Sequence, residues 1–468
     1  MQQHEADYLV IGTGAVGMAF VDTLLEESKA TVIMVDSHHQ PGGHWNDAYP
    51  FVRLHQPSHF YGVASTPLGS MRIDEAGSNA GYFELATGNE VQSYFEQVMR
   101  ERFLASGRVQ YFPMCEYLAD GQFCEILSGE KHEVKVGKKI VDSTFFKTSV
   151  PSRHKRPFNV ADGVSCTPPN SLPTQAGDHK HYCIIGAGKT AMDSAVWLLN
   201  NGASPDAISW VCPRRSWMIN REVTQAHSQF FVESIGGFAR QMKAFAEATS
   251  EDDLFDRLED SGFMLRIDET KRPSMFHFAT ISRGEVQQLK RIDHIIEQGR
   301  VSALTSAGLV MQDESKVSMP EGTLFIDCTA SAIDFTFRGK RPVFEDGCIT
   351  IQAMRVPNPC LSAAMIAFVE ANYDTDQDRN RICSPVPLPD NQADWLVSQF
   401  GNMMNQAVWS GEPALSDWIT NCRLDSFSAV IQGADKSNPE HVAILEMMSS
   451  HVMPAITNLQ KLMAASAA

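Results

Sequence analysis

Two stretches, YLVIGTGAVG at residues 8–17 and CIIGAGKTAMD at residues 183–193, restrict what this chain can become more than anything else in it. Each runs from a short β-branched segment through spaced glycines into a helical pattern. In such a loop the first glycine permits the tight turn, the second lets backbone approach a diphosphate, and the third lets helix and strand pack closely. The helix N-terminus adds unpaired N–H groups and the positive end of its dipole. Two such loops predict two nucleotides held at once, and therefore a redox enzyme.

The flanking periodicity supports two β-α-β units. Residues 8–11 read as a buried strand, and Val16, Phe20, Val21, Leu24 and Leu25 recur at helical spacing. Residues 31–35 then form a second strand. The second unit repeats this with a strand at 182–185, a helix at 189–200 and a strand at 207–212. The fold class expected is α/β with two Rossmann-like dinucleotide-binding domains. A further amphipathic helix is expected at 89–103, capped by Asn89, and a meander at 109–141. Five prolines between 150 and 180 mark a linker. Residues 218–300 read as mostly helical, with 286–296 strongly amphipathic, 301–319 as a hairpin and 323–328 as a buried strand. From about residue 390 the tail is helical, its Trp395, Trp409 and Trp418 suited to a core or a face for a second copy.

The chain of 468 residues has 43% apolar and 20% charged residues, which fits a packed enzyme of two or three domains. A formal charge of −17 disfavours nucleic acid and anionic membrane as partners. No apolar run approaches the roughly 18 residues of a membrane span, and the N-terminus shows no secretory pattern. The ten cysteines are scattered without a CxxC pair, which disfavours a zinc ribbon or a dithiol reductase and points to reduced thiols in the cytoplasm.

Gly12, Gly14 and Gly17 form the first cradle, followed at the end of the next strand by Asp36, where a carboxylate can accept from a ribose hydroxyl. Gly186, Gly188 and Ala191 form the second. At its matching position stand Arg214 and Arg215, whose guanidinium groups suit a 2′-phosphate and so favour NADPH over NADH. No Walker loop accompanies GKT, which disfavours ATP hydrolysis. His38, His39 and His44 crowd one loop at a spacing that matches no metal-ligand set, and no metal is expected.

The PGGHW segment at 41–45 resembles the GGxW stretch of class B flavoprotein monooxygenases, the flavin-containing and Baeyer–Villiger enzymes, and YPFVRLH at 49–55 resembles their YPGxRxD stretch. The resemblance spans about the first 330 residues and implies FAD on the first unit and NADPH on the second. It implies an FAD domain at 1–150, a linker at 151–180, an inserted NADPH domain at 181–320, and an FAD-domain return at 321–389 that includes Asp327. A helical region at 390–468 follows. Gly43 would then pass close to the flavin and Trp45 would cover its ring. Arg53 would stabilise a developing anion, and His55 or His59 would manage a proton. The implied activity is insertion of one oxygen atom from O2 into a small organic substrate through a C4a-(hydro)peroxyflavin.

The sequence departs from that pattern. The FxGxxxHxxxW linker fingerprint is missing, and both hinge ATG triplets have lost their glycine, as Ser143-Thr144-Phe145 and Thr329-Ala330-Ser331. Phe51 and His55 replace the expected glycine and acid. An NADPH-dependent flavin reductase or oxidase, and a dinucleotide sensor without catalysis, therefore stay open beside the monooxygenase.

Overall fold

The computed structural model describes residues 1–331, 333 and 341–466; part of the expected 321–389 return segment lies outside these. Its organisation follows from two sheets that share one order of four parallel strands. The first contains β1 (Gln2–Ile11), β2 (Val32–Val35), β3 (Val109–Phe112), β4 (Cys115–Ala119), β5 (Gln122–Glu125) and β6 (Lys131–Asp142), of which four lie in the order β3-β2-β1-β6, all parallel, while β4 and β5 form an antiparallel hairpin beside β6. Strand Cys348–Thr350 continues it beside β6. In the second, strands His294–Ile296, Ile208–Val211, Tyr182–Ile185 and Leu324–Asp327 repeat that order, with Cys166–Thr167 at the edge. Both loops emerge at the carboxyl ends of the strands, where open α/β sheets bind ligands.

The second sheet is inserted between β6 and Cys348–Thr350, as expected, but one boundary moves. Leu324–Asp327 pairs with Tyr182–Ile185, Asp327 lying opposite Ile185, so Asp327 belongs to the second domain. The return to the first sheet is made by Cys348–Thr350 instead. A buried apolar strand does not reveal from its own sequence which of two similar sheets it will join. The linker also contributes to structure: Cys166–Thr167 pairs with Leu324–Asp327, and Asn159–Val160 pairs with Val301–Thr305.

The helix α1 (Ala15–Glu27) packs its Met18, Phe20, Val21 and Leu24 against Leu361, Met365 and Phe368 of helix Pro359–Asn372 within one core. The helix expected at 89–103 is α2 (Gly88–Val98), and its cap is Thr87: Thr87 and Glu90 form a reciprocal capping box that Asn89 cannot make from inside the first turn. The region read as mostly helical contains helices Phe231–Glu247 and Glu251–Asp260. It also holds a three-stranded sheet of Ser216–Asn220, Met264–Leu265 and Met275–Ile281. The amphipathic stretch at 286–296 divides into helix Arg283–Leu289 and strand His294–Ile296.

The tail is helical. Trp395 lies in a core with Phe245, Phe255 and Phe276, and Trp409 lies in the core of the first domain. Among the described residues no helix is long and apolar enough to cross a membrane, and all ten cysteines are unpaired.

Candidate active site

The first loop is closed tightly on itself. Gly12 has φ +93°, and a Cβ on Gly17 would lie 2.3 Å from the Gly12 carbonyl oxygen, so neither position admits another residue without movement. Ser143, the first residue of the altered hinge triplet, donates to the carbonyls of Ile11 (2.6 Å) and Gly12 (3.0 Å) and locks the turn to the end of β6. Gly43, with φ +55°, passes against Gly14, where a Cβ would come within 2.9 Å of the Gly14 Cα.

Neither helix that follows a glycine loop carries a capping side chain. Gly14 and Gly188 are the N-caps of α1 and of helix Lys189–Asn200. Helices Phe231–Glu247 and Pro413–Asn421 also lack a capping side chain, whereas α2 and helices Glu251–Asp260, Arg283–Leu289, Pro359–Asn372, Asp376–Ile382 and Gln392–Ser410 are capped by a side chain. In the second helix Ala191 N–H donates to the Gly188 carbonyl (3.0 Å); first-turn N–H groups without a side-chain cap at such a loop fit a bound diphosphate. Gly188 has nothing within 4 Å of where a Cβ would stand, while a Cβ on Gly186 would come 2.5 Å from the Cys328 carbonyl oxygen. Ala191 is wholly buried in the second core.

Asp36 is buried and already supplied with donors. One oxygen accepts from Thr13 N–H (2.6 Å) and the Thr13 hydroxyl (2.8 Å), and the other from His38 N–H (2.8 Å) and His38 Nδ1 (2.9 Å). Burial opposes ionisation of Asp36, but the hydrogen bonds from His38 and Thr13 outweigh it and hold the carboxyl below its ordinary range. The other His38 nitrogen bonds Asp47 (2.8 Å). The hydrogen bond to Asp36, reinforced by Asp47 and opposed by burial, pushes His38 up to about 9. A ribose diol reaching Asp36 therefore displaces one of its two movable donors, the imidazole or the Thr13 hydroxyl.

At the second loop the expected arginine pair divides. Arg214 makes a bidentate pair with Asp390 (2.9 and 2.8 Å), which His277 Nε2 also meets at 2.7 Å, tying the second domain to the tail. That pair engages Arg214, one of the two arginines expected at a 2′-phosphate, with the tail. Arg215 pairs with Glu297 (2.7 Å) and lines a cleft with Ala187, Cys212, Arg266 and Lys271. Each of these cations already has a carboxylate partner, Arg215 also Asp268 (3.5 Å), Lys271 Glu297 (3.4 Å) and Arg266 Glu259 (2.9 Å), so a phosphate binding there would take the place of carboxylates.

The segment at 45–55 joins the two domains. Trp45 is buried and donates from Nε1 to the Tyr61 hydroxyl (2.7 Å). Phe51, which replaces the expected glycine, stacks on Trp197 of the second domain at 5.4 Å. Tyr49 donates to Asp193 Oδ2 at 2.6 Å, and His55 Nε2 lies 3.8 Å from the same oxygen. Asp193 and Glu285 (3.1 Å) together hold Lys189, and Glu285 binds Arg221 (2.6 Å). Arg221 in turn donates to the His55 carbonyl (3.1 Å). Two cations and two carboxylates are thus taken from water as a balanced set, the condition under which buried charge is tolerated. Burial alone would raise the carboxyls of Asp193 and Glu285, but the Lys189 ammonium keeps both well below the usual range. Burial, then the Asp193 charge, keeps Tyr49 protonated, and burial pushes His55 down.

The other expected residues lie apart from this cluster. Arg53 is exposed and donates to the Leu85 carbonyl (3.0 Å). The His59 carbonyl accepts from Arg423. Asp327, expected beside the flavin, is 1% exposed and holds Thr329 and His154 (3.0 Å) in the second domain. Sequence reasoning missed Tyr49, Lys189, Asp193, Glu285 and Arg221. The i,i+4 spacing of Lys189 and Asp193 was a usable signal, whereas Glu285 and Arg221 arrive from distant segments.

No family model matches the chain. Three curated proteins, Uncharacterized protein Rv2000 and Uncharacterized protein MT2056 of Mycobacterium tuberculosis and Uncharacterized protein Mb2023 of Mycobacterium bovis, are each 42% identical to it over 464 residues. The match covers 99% of this chain and 86% of each relative. The chain belongs to their family. Similar solved structures include a flavin monooxygenase variant from Stenotrophomonas maltophilia, with 11% identity, TM-score 0.46, and 81% and 100% of the two chains covered. Cyclohexanone monooxygenase follows, with 14% identity, TM-score 0.48, and 79% and 88% covered. Bacillithiol disulfide reductase from Bacillus cereus has 12% identity, TM-score 0.45, and 81% and 99% covered. With scores below 0.5, the assignment of two dinucleotide-binding domains to this family member rests on the strand orders and loops described above.

Proposed function

We infer that this chain is an FAD-dependent, NADPH-using oxidoreductase, and that it acts as a monooxygenase on a small organic substrate. The carrying observation is the pair of sheets of identical strand order, each with an uncapped helix behind a positive-φ glycine, bridged where Tyr49 reaches Asp193. Gly12, Gly14, Gly17 and Gly43 would hold the FAD diphosphate, and Asp36 its ribose. Gly186, Gly188 and Ala191 would hold the NADPH diphosphate, with Arg215, Arg266 and Lys271 at the 2′-phosphate. Bound there, the cofactors supply hydride transfer and activation of O2. The chain fixes their relative placement through the 45–55 segment, keeps a proton on Tyr49, and limits water with Trp45 and Phe51. His55, held neutral by burial, is the proton acceptor nearest the domain junction.

A reductase or oxidase is the second reading, favoured by the engagement of Arg53 with the Leu85 carbonyl, which leaves no assigned cation for a developing anion. Both readings meet in one experiment on purified, flavin-loaded chain. NADPH is added without oxygen, then O2 labelled with oxygen-18 is admitted with a panel of ketones, sulfides and amines. Flavin bleaching followed by label in an organic product is the expected result. Bleaching that ends only in hydrogen peroxide would sink the monooxygenase, and no bleaching would sink the oxidoreductase.

A further inference from the structure

At the opposite end of the first sheet, away from both glycine loops, one buried imidazole nitrogen has no partner. His132 on β6 is 2% exposed, and its Nε2 is buried without a hydrogen bond. That nitrogen points at two carboxylates. Glu125 ends β5 (Gln122–Glu125), and Glu130 faces it across the turn, where Glu125 N–H donates to the Glu130 carbonyl (2.9 Å). The candidate ligand atoms of Glu125, Glu130 and His132 all lie within 4.8 Å of one another, and Nε2 is 3.5 Å from Glu125 Oε1.

Like charges directly opposed across an antiparallel pair repel, and among the described residues no lysine or arginine is ion-paired to either carboxylate. Their hydrogen-bond donors are neutral: the Ser128 hydroxyl on Glu125 Oε2 (2.6 Å) and the Gln2 amide on Glu130 Oε1 (2.7 Å). These bonds occupy one oxygen of each carboxylate and leave the other available. The imidazole is fixed as well. It stacks on Phe123 at 4.6 Å and 5°, and its Nδ1 lies 3.0 Å from His4 Nε2. In the tautomer in which Nδ1 donates to His4 Nε2, the lone pair of His132 Nε2 is free. A metal-bound histidine is usually oriented by such an outer partner.

We propose that Glu125, Glu130 and His132 bind one divalent first-row transition-metal ion, of which Zn2+ is the model, with water completing its coordination. One imidazole nitrogen with two carboxylate oxygens suits zinc, cobalt or manganese better than calcium or magnesium, which prefer all-oxygen shells. On a tetrahedral ion with bonds of about 2.1 Å, neighbouring ligand atoms lie roughly 3.4 Å apart. The Nε2 to Oε1 distance already matches that value, and the exposed Glu130 closes the set by side-chain rotation. The site would clamp the β5–β6 turn to β1, and β1 carries the first glycine loop roughly 30 Å away at about 3.3 Å per residue. It is therefore separate from the nucleotide sites.

The test uses the full chain without a histidine tag, stripped by chelator. It is titrated with Zn2+ by calorimetry and with Co2+ by visible absorption. One equivalent is expected to bind, with the intensified cobalt band of a low-coordinate site. The E125Q/E130Q variant, altered only in the turn, should lose more than about 100-fold in affinity, beyond the roughly 10–100-fold of losing an outer partner. E5Q/E133Q, with the same change of net charge on adjacent strands, should bind as the unaltered chain does. No stoichiometric binding by the unaltered chain, or binding that survives in E125Q/E130Q, would overturn the site.

Discussion

The two glycine loops share a motif and a strand order yet sit in opposite surroundings. The first is packed against its own domain, with Gly17 on the Gly12 carbonyl, Ser143 under the turn, and Asp36 filled by four donors. The second is roomier. Its third position tolerates the Cβ of Ala191, space opens beside Gly188, and its helix is tied to the other domain through Asp193, which accepts from Tyr49 and is held in turn by Lys189. The first loop is built as a rigid seat, and the second as a joint. Under the proposed function, which brings two nucleotides face to face, one seat fixed and one coupled to the domain junction is a workable division.

The sharpest way to break this contrast is alanine at the tightest point of the seat. Gly17→Ala puts a Cβ 2.3 Å from a backbone oxygen that cannot yield easily. The expected loss is about 3 kcal/mol or more, the upper range for overpacking, with loss of flavin retention. Chemical denaturation monitored by circular dichroism measures it, and a variant as stable as the parent would mean the seat is loose. Lys189→Met attacks the joint. It leaves Asp193, Glu285 and Arg221 buried without their balancing ammonium, and removing one partner of such a set typically costs about 3–5 kcal/mol. The double variant Lys189→Met/Asp193→Leu should lose less than the two single losses combined, and simple additivity would argue against coupling.

How much of this contrast could be read in advance differed with the range of the interaction. Both loops, both strand-helix-strand units and the insertion of one domain in the other follow from local patterns, and each appears in the structure. The destination of residues 323–328 did not, because a TLFIDC strand is apolar on both faces and suits either sheet. Arg214 and Arg215 look equivalent in sequence. Only the arrival of Asp390, 176 positions away, makes one a tie to the tail and leaves the other at the cleft. The unpaired Nε2 of His132 is invisible in sequence for the same reason, since its significance depends on β5 and β1 folding around it.

The seat also carries a pH signature on the alkaline side. Bonded to Asp36 and Asp47, His38 has its folded value pushed up to about 9 from an ordinary 6.5. A histidine raised on folding contributes stability that is complete below the unfolded value and is lost as pH rises through the folded one. Stability should therefore decline between about pH 6.5 and 9, by on the order of 2 kcal/mol after solvent screening. His38→Asn should be weaker at low pH and flatter across that window. If a ribose displaces the imidazole from Asp36, saturating FAD should also flatten the decline, and calorimetric melting at several pH values reads both effects.

The smallest stability effect gives the finest test of the joint. Gly188→Ala adds a methyl group where nothing stands within 4 Å, at a residue whose φ of −83° any amino acid adopts. Stability should change by less than about 1 kcal/mol. The methyl would nevertheless stand at the point where a diphosphate must approach backbone, so affinity for NADPH should fall about tenfold or more while flavin content is unchanged. A loss of flavin instead would mean that the two loops have been assigned to the wrong nucleotides. Unchanged affinity for both would mean that the open space at Gly188 holds no phosphate, and that the room around the second loop serves movement of the joint instead of binding.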